Sequence, residues 1–498
     1  MIFTIFFRNS FGRIDVVVVK SVPCPICGCL CDDVELTVED GKIVKVKNGC
    51  SMSESKFLNY AGHRVRSPLA RKNGKMTEVS LDEAISEAAR ILANSHYPLL
   101  YGWSSTSCEA IRIGVELAEE VGGVIDNTST VCHGPSVLAI QDVGIPSCTL
   151  GQIRHRADLV VYWASDPWSS HPRHIERYTS LSEGKFEKSE WREYVSKTKA
   201  GAARKRVERA LDMVQAKQQL LAPPLSNEGP CPAILKGGRK LIVVDVRKTR
   251  TAEIADYFIQ VEPNKDYELL QALRALIRDQ ELEVEKVAGV PVEYLEEVAE
   301  AMVDCSFGVI FFGLGLTMSK GKNRNVDVAI ALTRDLNLRT KFAIMPMRGH
   351  FNVSGADTVF AWQTGYPYAV DFSMGYPRYN PGETTAVDVL MRGDTDAALV
   401  IASDPVSNFP RPAAEHLVKN PLIVIDPHMN ATSQVADVIF PSAFVGIETS
   451  GTAYRMDHVP IAARKILDPP EGLITDEEIL KRILAEVRRI KDREKGAY

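Results

Sequence analysis

Two hydrophobic patterns alternate along most of the chain. The first is helical. In "SLDEAISEAARILANS" (80–95) apolar residues recur every three or four positions, with Ser80 where an N-cap is wanted and Glu83 three residues on. "CEAIRIGVELAEEVGG" repeats that period and stops at two glycines. The second pattern is a short continuous apolar run: "YPLLYG", "ADLVVYW", "RKLIVVD", "FGVIFF", "DAALVI" and "PLIVID". Each opens into a loop of Asp, Ser, Gly or Pro. Runs without period-two alternation suit parallel strands buried on both faces. The alternation predicts an α/β fold with several doubly wound parallel-sheet units.

The ends depart from this cadence. "VELTVEDGKIVKVKN" (34–48) alternates apolar and polar residues around Asp40-Gly41, which predicts a hairpin. The opening "MIFTIFFRNSFGRIDVVVVK" is greasy but broken by Arg8 and Arg13. It has neither the layout of a secretory signal nor the length of a membrane span, so it reads as a strand or extension. Residues 186–220 are charged and helix-prone and lead into "LAPPLSNEGPCP"; this insertion, 186–235, is read as a solvated helical surface with a docking surface as the sharper alternative. "TDEEILKRILAEVRRIKDREKGAY" closes the chain as an amphipathic basic helix.

With 498 residues and a formal charge of −5, the chain has room for two to four globular units and no general basic footprint for nucleic acid. Its ten cysteines are too sparse for a disulfide scaffold, yet five lie within residues 24–50. That clustering implies metal ligation in a reducing compartment, and hence a cytoplasmic protein. Cys24, Cys27 and Cys31 give C-x2-C-x3-C, and Cys50 supplies a distant fourth thiol. Spacing alone admits either an iron–sulfur cluster or structural zinc. Cys29 would make a cramped C-x2-C-x1-C and is left out. Cys132, in "IDNTSTVCHGPSV", reads either as a small buried apolar residue or as a thiolate ligand at a loop.

The strand-end loops carry a further signal. "ASDP" occurs at 164–167, with Asp166, and again at 402–405, with Ser403 and Asp404. "VDVRKT" offers Asp245, Arg247 and Thr249, and "IDPH" offers Asp426 and His428. Carboxylates at the carboxyl ends of parallel strands suit ribose or guanine donors, while Arg and Thr suit phosphates. Four such loops point to a large nucleotide-bearing cofactor. "GLGLTMSKG" adds the turn glycines Gly313 and Gly315 without the third glycine of a dinucleotide fingerprint.

Together, "CPICGCLCDDVE", "NGC", "DNTSTVCHGPS", "HPRHIERY", "VVDVRKTRTAEIAD", "RGHFNVSGAD", "NPGETTAVDVL" and "IETSGTAYRMD" resemble the molybdopterin- or tungstopterin-dependent oxidoreductases of the formate dehydrogenase type. The Cys-His-Gly-Pro-Ser and His-Pro-Arg-His runs are most similar to the catalytic B subunits of formylmethanofuran dehydrogenases. The resemblance implies a [4Fe–4S] cluster on Cys24, Cys27, Cys31 and Cys50. It implies tungsten or molybdenum on Cys132, two pterin guanine dinucleotides, His133 beside the metal's open position and Arg348 as the active-site arginine. It extends the cofactor-binding set to Asp437, Glu448, Gly451 and Thr452. Val246 stands where the family more often has proline.

The implied reaction is reversible reduction of CO2 to formate, the opening step of methanogenesis from CO2. The implied partners are a small β-barrel subunit in place of a fused C-terminal barrel, an amidohydrolase-like subunit that condenses formate with methanofuran, and ferredoxin or polyferredoxin donors. No membrane partner is expected. The corresponding divisions are a β iron–sulfur domain (20–67), a discontinuous α/β domain (68–130 and 346–470), a second α/β domain (131–345) and a terminal helix (471–498). A free-standing formate dehydrogenase subunit and a non-catalytic iron–sulfur scaffold are the rival readings.

Overall fold

The computed structural model describes residues 2–9, 12–182 and 239–496, so the charged insertion at 186–235 lies outside the described residues. The chain forms two compact units, one of residues 1–131 with 350–498 and the other of residues 132–349. It crosses between them twice, after Val131 and after Gly349.

In the second unit five parallel strands lie in the order Tyr257–Gln260, Lys240–Asp245, Leu159–Trp163, Phe307–Phe312, Lys341–Pro346. Numbered along the chain, that order is 3-2-1-4-5, the dinucleotide-fold order. Leu159–Trp163 and Phe307–Phe312 are buried at every position, as their unbroken apolar runs require. Helices Asp266–Ile277, Val292–Val303 and Asn323–Leu336 supply much of the core packed on this sheet.

The first unit has a nine-stranded sheet whose centre is also parallel: Val124–Asn127, Leu99–Gly102, Ala398–Ile401, Leu422–Ile425, Val438–Phe440. Short antiparallel strands finish both margins. Successive side chains divide cleanly between two cores. Leu100, Leu399, Ile401 and Ile423 join one, and Leu99, Tyr101, Val400 and Val424 join the other. Each fully buried Val, Leu or Ile contributes about 1.5–3 kcal/mol of transfer free energy.

Both expected helices form. Leu81–Ala93 starts at Ser80, whose side chain accepts the Glu83 amide, and Cys108–Val121 stops at Gly122 in the left-handed region (φ 69°). The expected hairpin is also present, as Val34–Glu39 against Lys42–Lys47, with Asp40 (φ 46°) and Gly41 (φ 74°) making the left-handed turn. It joins Ile2–Asn9 and Gly12–Val22 in a small antiparallel sheet. Among the described residues no helix is long and apolar enough to cross a membrane.

The helix Asp476–Gly496, taken from sequence as a separate terminal element, is part of the first unit's core. Ile479, Leu480, Ile483 and Val487 are each at most 1% exposed and pack with the Leu81–Ala93 and Cys108–Val121 helices. Leu480→Ala should therefore cost about 2–5 kcal/mol. Thermal unfolding checks this; an unchanged melting temperature would mean that the helix is dispensable to the unit.

Candidate active site

In the parallel part of each unit's large sheet the strand order reverses direction once. In the second unit this happens between Leu159–Trp163 and Phe307–Phe312, and in the first between Leu99–Gly102 and Ala398–Ile401. Ligands of doubly wound sheets bind beyond the carboxyl ends of the strands at such points. The loops there are closely packed. A Cβ at Gly313 would lie 2.3 Å from the Ala164 carbonyl, and one at Gly102 would lie 1.9 Å from the Ile401 carbonyl. Only glycine fits either position. Gly315 packs the same way, 2.7 Å from the Ala164 Cβ.

The two "ASDP" loops are built alike, each within its own unit. Ala164 (φ 49°) and Ala402 (φ 46°) both turn through the left-handed region. The Asp166 carboxylate accepts hydrogen bonds from the Thr251 and Ser169 hydroxyls. Asp404 accepts from Thr432 at 2.6 Å and Ser407 at 2.7 Å. Thr251 and Thr432 in turn accept the Trp168 and Val406 amides. On the next strand Asp245 accepts the Arg247 amide at 3.2 Å and Asp426 accepts the His428 amide at 2.8 Å. Burial pushes Asp245 above the usual carboxylate range and Asp426 up to about 7. Ser403 stands with Asp404 in the first unit's loop, where the Ser403 carbonyl accepts from Asn430 at 3.4 Å.

This repeat also shows what the sequence reading missed. Thr251 and Thr432 hold the loop carboxylates, and the signal was present as a threonine six residues beyond Asp245 and Asp426. Several expected ligand residues also make contacts within the fold. Asp437 accepts the Leu422 amide at 2.9 Å, as Asp256 accepts the Leu241 amide in the second unit, so both carboxylates fasten one strand to the next. Thr249 caps the turn Arg250–Glu253. Glu448 is ion-paired with Arg64, both side chains almost fully buried, and also accepts the Phe444 amide. Thr452 donates both its amide and its hydroxyl to Glu109, and a Cβ at Gly451 would meet Ser107 at 2.6 Å. Asp437, Glu448, Gly451 and Thr452 thus each have a contact within the fold of the first unit.

Cys132 is half-buried, one residue past the turn Thr128–Val131, and its carbonyl accepts the Thr317 hydroxyl at 3.2 Å. His133 opens the helix Gly134–Val143 and is fully buried. Its Nδ1 lies 3.0 Å from Ser136 Oγ and its Nε2 lies 3.2 Å from the Met347 carbonyl. The carbonyl can only accept, so Nε2 carries the proton. Burial, reinforced by Arg348 and His171, holds the imidazole neutral with its pKa pushed down to about 3. Both nitrogens of His133 are thus engaged within the fold, beside the loop that carries Cys132. Arg348 is 3% exposed and follows the Lys341–Pro346 strand.

Cys24, Cys31 and Cys50 are buried and Cys27 half-buried. The loop closes on itself through Cys24 N–H to the Cys31 carbonyl (2.8 Å) and Leu30 N–H to the Cys27 carbonyl (3.1 Å), and Leu30 takes a left-handed turn (φ 37°). Burial and then the nearby Cys31, Cys27 and Cys50 push the Cys24 thiol well above its ordinary value. Burial and the neighbouring thiols thus disfavour a free Cys24 thiolate, which a bound cationic group would stabilise. Among the described residues, no three His, Cys, Asp or Glu side chains are arranged to hold a single metal ion. The structure also gathers Cys29, 1% exposed and hydrogen-bonded to Cys27.

These features find their counterpart among known proteins. The molybdopterin oxidoreductase family profile matches residues 222–486. The chain is 48% identical over 476 residues to the B subunit of the tungsten-containing formylmethanofuran dehydrogenase 2 of Methanocaldococcus jannaschii, covering 95% of this chain and 99% of that one. It is 45% identical to the B subunit of the same-named enzyme from Methanococcus maripaludis, over 95% of this chain and 100% of that one. In fold it resembles the formyltransferase/hydrolase complex of Methylorubrum extorquens, solved with methylofuran, at a TM-score of 0.62 and 21% identity, covering 87% of this chain and 100% of that one. The protein is a molybdopterin oxidoreductase, a class whose cofactor is a molybdopterin carrying molybdenum or tungsten. Within that class it belongs to the family of formylmethanofuran dehydrogenase B subunits.

The cysteine loop makes one test specific. On the expectation that Cys24, Cys27, Cys31 and Cys50 hold a [4Fe–4S] cluster, Cys29→Ser should leave the iron content and the iron–sulfur electron paramagnetic resonance signal unchanged, whereas Cys27→Ser should lose both. Iron loss on changing Cys29 would make it the ligand in place of a neighbour.

Proposed function

We propose that this chain is the catalytic subunit that interconverts CO2 and formate within a formylmethanofuran dehydrogenase. The observation that carries this reading is the 48% identity of this chain to a tungsten-containing B subunit over 95% of its length, with Cys132 standing in the segment that follows the parallel strand Val124–Asn127. In the reducing direction CO2 takes up two electrons and one proton to give formate. A tungsten or molybdenum centre held by two pterin guanine dinucleotides supplies this two-electron chemistry when bound.

The chain's own residues have separate tasks. Cys132 would hold the metal; its half-buried position suits a thiolate that must reach a bound group while its backbone stays fixed by Thr317. The matching loops around Asp166 and Asp404 would each take one dinucleotide, with Asp245, Arg247, Asp426 and His428 on the adjacent strand ends. Their duplication supports a pair of dinucleotides. Arg348 would hold the formate carboxylate through paired N–H donors. Cys24, Cys27, Cys31 and Cys50 would hold a [4Fe–4S] cluster through which a ferredoxin or polyferredoxin exchanges electrons. Formate would pass to an amidohydrolase-like partner for condensation with methanofuran, and a small β-barrel subunit would complete the pterin site.

Elemental analysis of the purified native complex tests the cofactor assignment. One tungsten or molybdenum per chain and about four irons attributable to the N-terminal cysteines are expected; zinc without a heavy metal would overturn it. Cys132→Ala should abolish CO2/formate turnover and leave the iron–sulfur signal in place. Retained turnover would remove Cys132 from the metal.

A further inference from the structure

Beyond Pro346 the backbone leaves the parallel sheet, so the next carbonyls lose their ladder partners and must find donors elsewhere. Two buried imidazoles supply them. His133 Nε2 lies 3.2 Å from the Met347 carbonyl, and His171 Nε2 lies 2.8 Å from the Arg348 carbonyl. Both rings are at most 3% exposed. The Met347 carbonyl belongs to the peptide plane before the Arg348 Cα, and the Arg348 carbonyl to the plane after it. Because peptide units are planar, holding both planes sets φ and ψ of Arg348 and with them the direction of its side chain. Gly349 follows, and the space where its Cβ would stand is empty, so neighbouring side chains do not hold the chain there.

His171 is itself anchored. Its Nδ1 lies 2.9 Å from Ser170 Oγ, and that hydroxyl lies 3.0 Å from the Asp166 carbonyl. A hydrogen-bonded chain thus runs from the "ASDP" loop through Ser170 and His171 to the backbone of Arg348. All of these groups lie in the second unit.

We propose that His171 is a positioning residue: with His133 it fixes the peptide planes on either side of Arg348, so that the guanidinium is held ready for a carboxylate substrate. The functional part of this inference rests on the reading of Arg348 as the formate-binding arginine. His133 neighbours Cys132, so His171 is the cleaner position to change.

The test compares His171→Ala, His171→Gln and Arg348→Lys in the purified complex. Formate oxidation is coupled to a viologen dye, metal content is measured, and the position of residue 348 is read from structures of the variants. His171→Ala should raise the KM for formate about tenfold, roughly the factor that one hydrogen bond commands, with a smaller loss in kcat. Tungsten or molybdenum and iron should stay at wild-type levels, and the Arg348 side chain should be displaced. The Gln side chain keeps an N–H donor near the place of Nε2, so His171→Gln should recover KM to within about threefold.

An unchanged KM in His171→Ala, a Gln variant no better than Ala, or metal loss in the Ala variant would overturn the proposal. If Arg348→Lys is impaired while His171→Ala behaves as wild type, only the brace falls. If both variants bind and oxidise formate as wild type does, the arginine reading falls and the brace loses its function with it.

Discussion

A parallel strand covered on both faces can carry almost no polar side chain along its length, because an unpaired buried polar group costs more than its packing returns. This constraint arranges the molecule. Leu159–Trp163, Leu99–Gly102 and Leu422–Ile425 are buried at every position, and the polar residues they cannot hold collect in the loops at their carboxyl ends. There the strands still lie close enough that Gly313 and Gly102 have no room for a side chain. The same crowding that requires glycine brings Asp166 and Asp404 to the strand order's reversal points, and the carboxylates are then fastened by threonines from the following turn.

That arrangement explains what could be read from the residues alone. Continuous apolar runs and capped helices are local signals with one physical meaning, so the parallel sheets, the Ser80 cap and the Asp40-Gly41 turn followed directly. Strand-end carboxylates were visible for the same reason. Their partners were harder to see. Glu448 is 384 residues from Arg64, and Thr452 is 343 from Glu109, so nothing in their neighbourhoods shows that their polar groups are already used. The setting of His133 was equally hidden. Its ring turns inward to Ser136 and to Met347, and the second partner lies 214 residues away.

Buried imidazoles that meet backbone carbonyls alter how the candidate site is understood. Its cationic side chain, Arg348, stands on a short stretch past the end of a sheet, where ladder hydrogen bonds have run out. Side-chain donors from the Cys132 loop and from the segment after the first "ASDP" turn take their place. Three segments distant in sequence therefore share the setting of one residue. Substitutions far from Arg348 in the chain can act on it without touching substrate or cofactor.

The route of the chain through its two units has a consequence for how the molecule is made. The cysteine loop leaves the ribosome early, but the residues that close around it come late. His350 pairs with Cys27, Met456 N–H donates to the Gly28 carbonyl, and Gly446 packs on Pro25. The sheet of the first unit likewise waits for Ala398–Ile401 to enter beside Leu99–Gly102. At roughly 5–20 residues per second, the about 300 residues between Cys50 and His350 take about 15–60 s to synthesise. The second unit, continuous from 132 to 349, is synthesised within that interval. The contacts of Gly446 and Met456 with the cysteine loop therefore form only after most of the chain has been made.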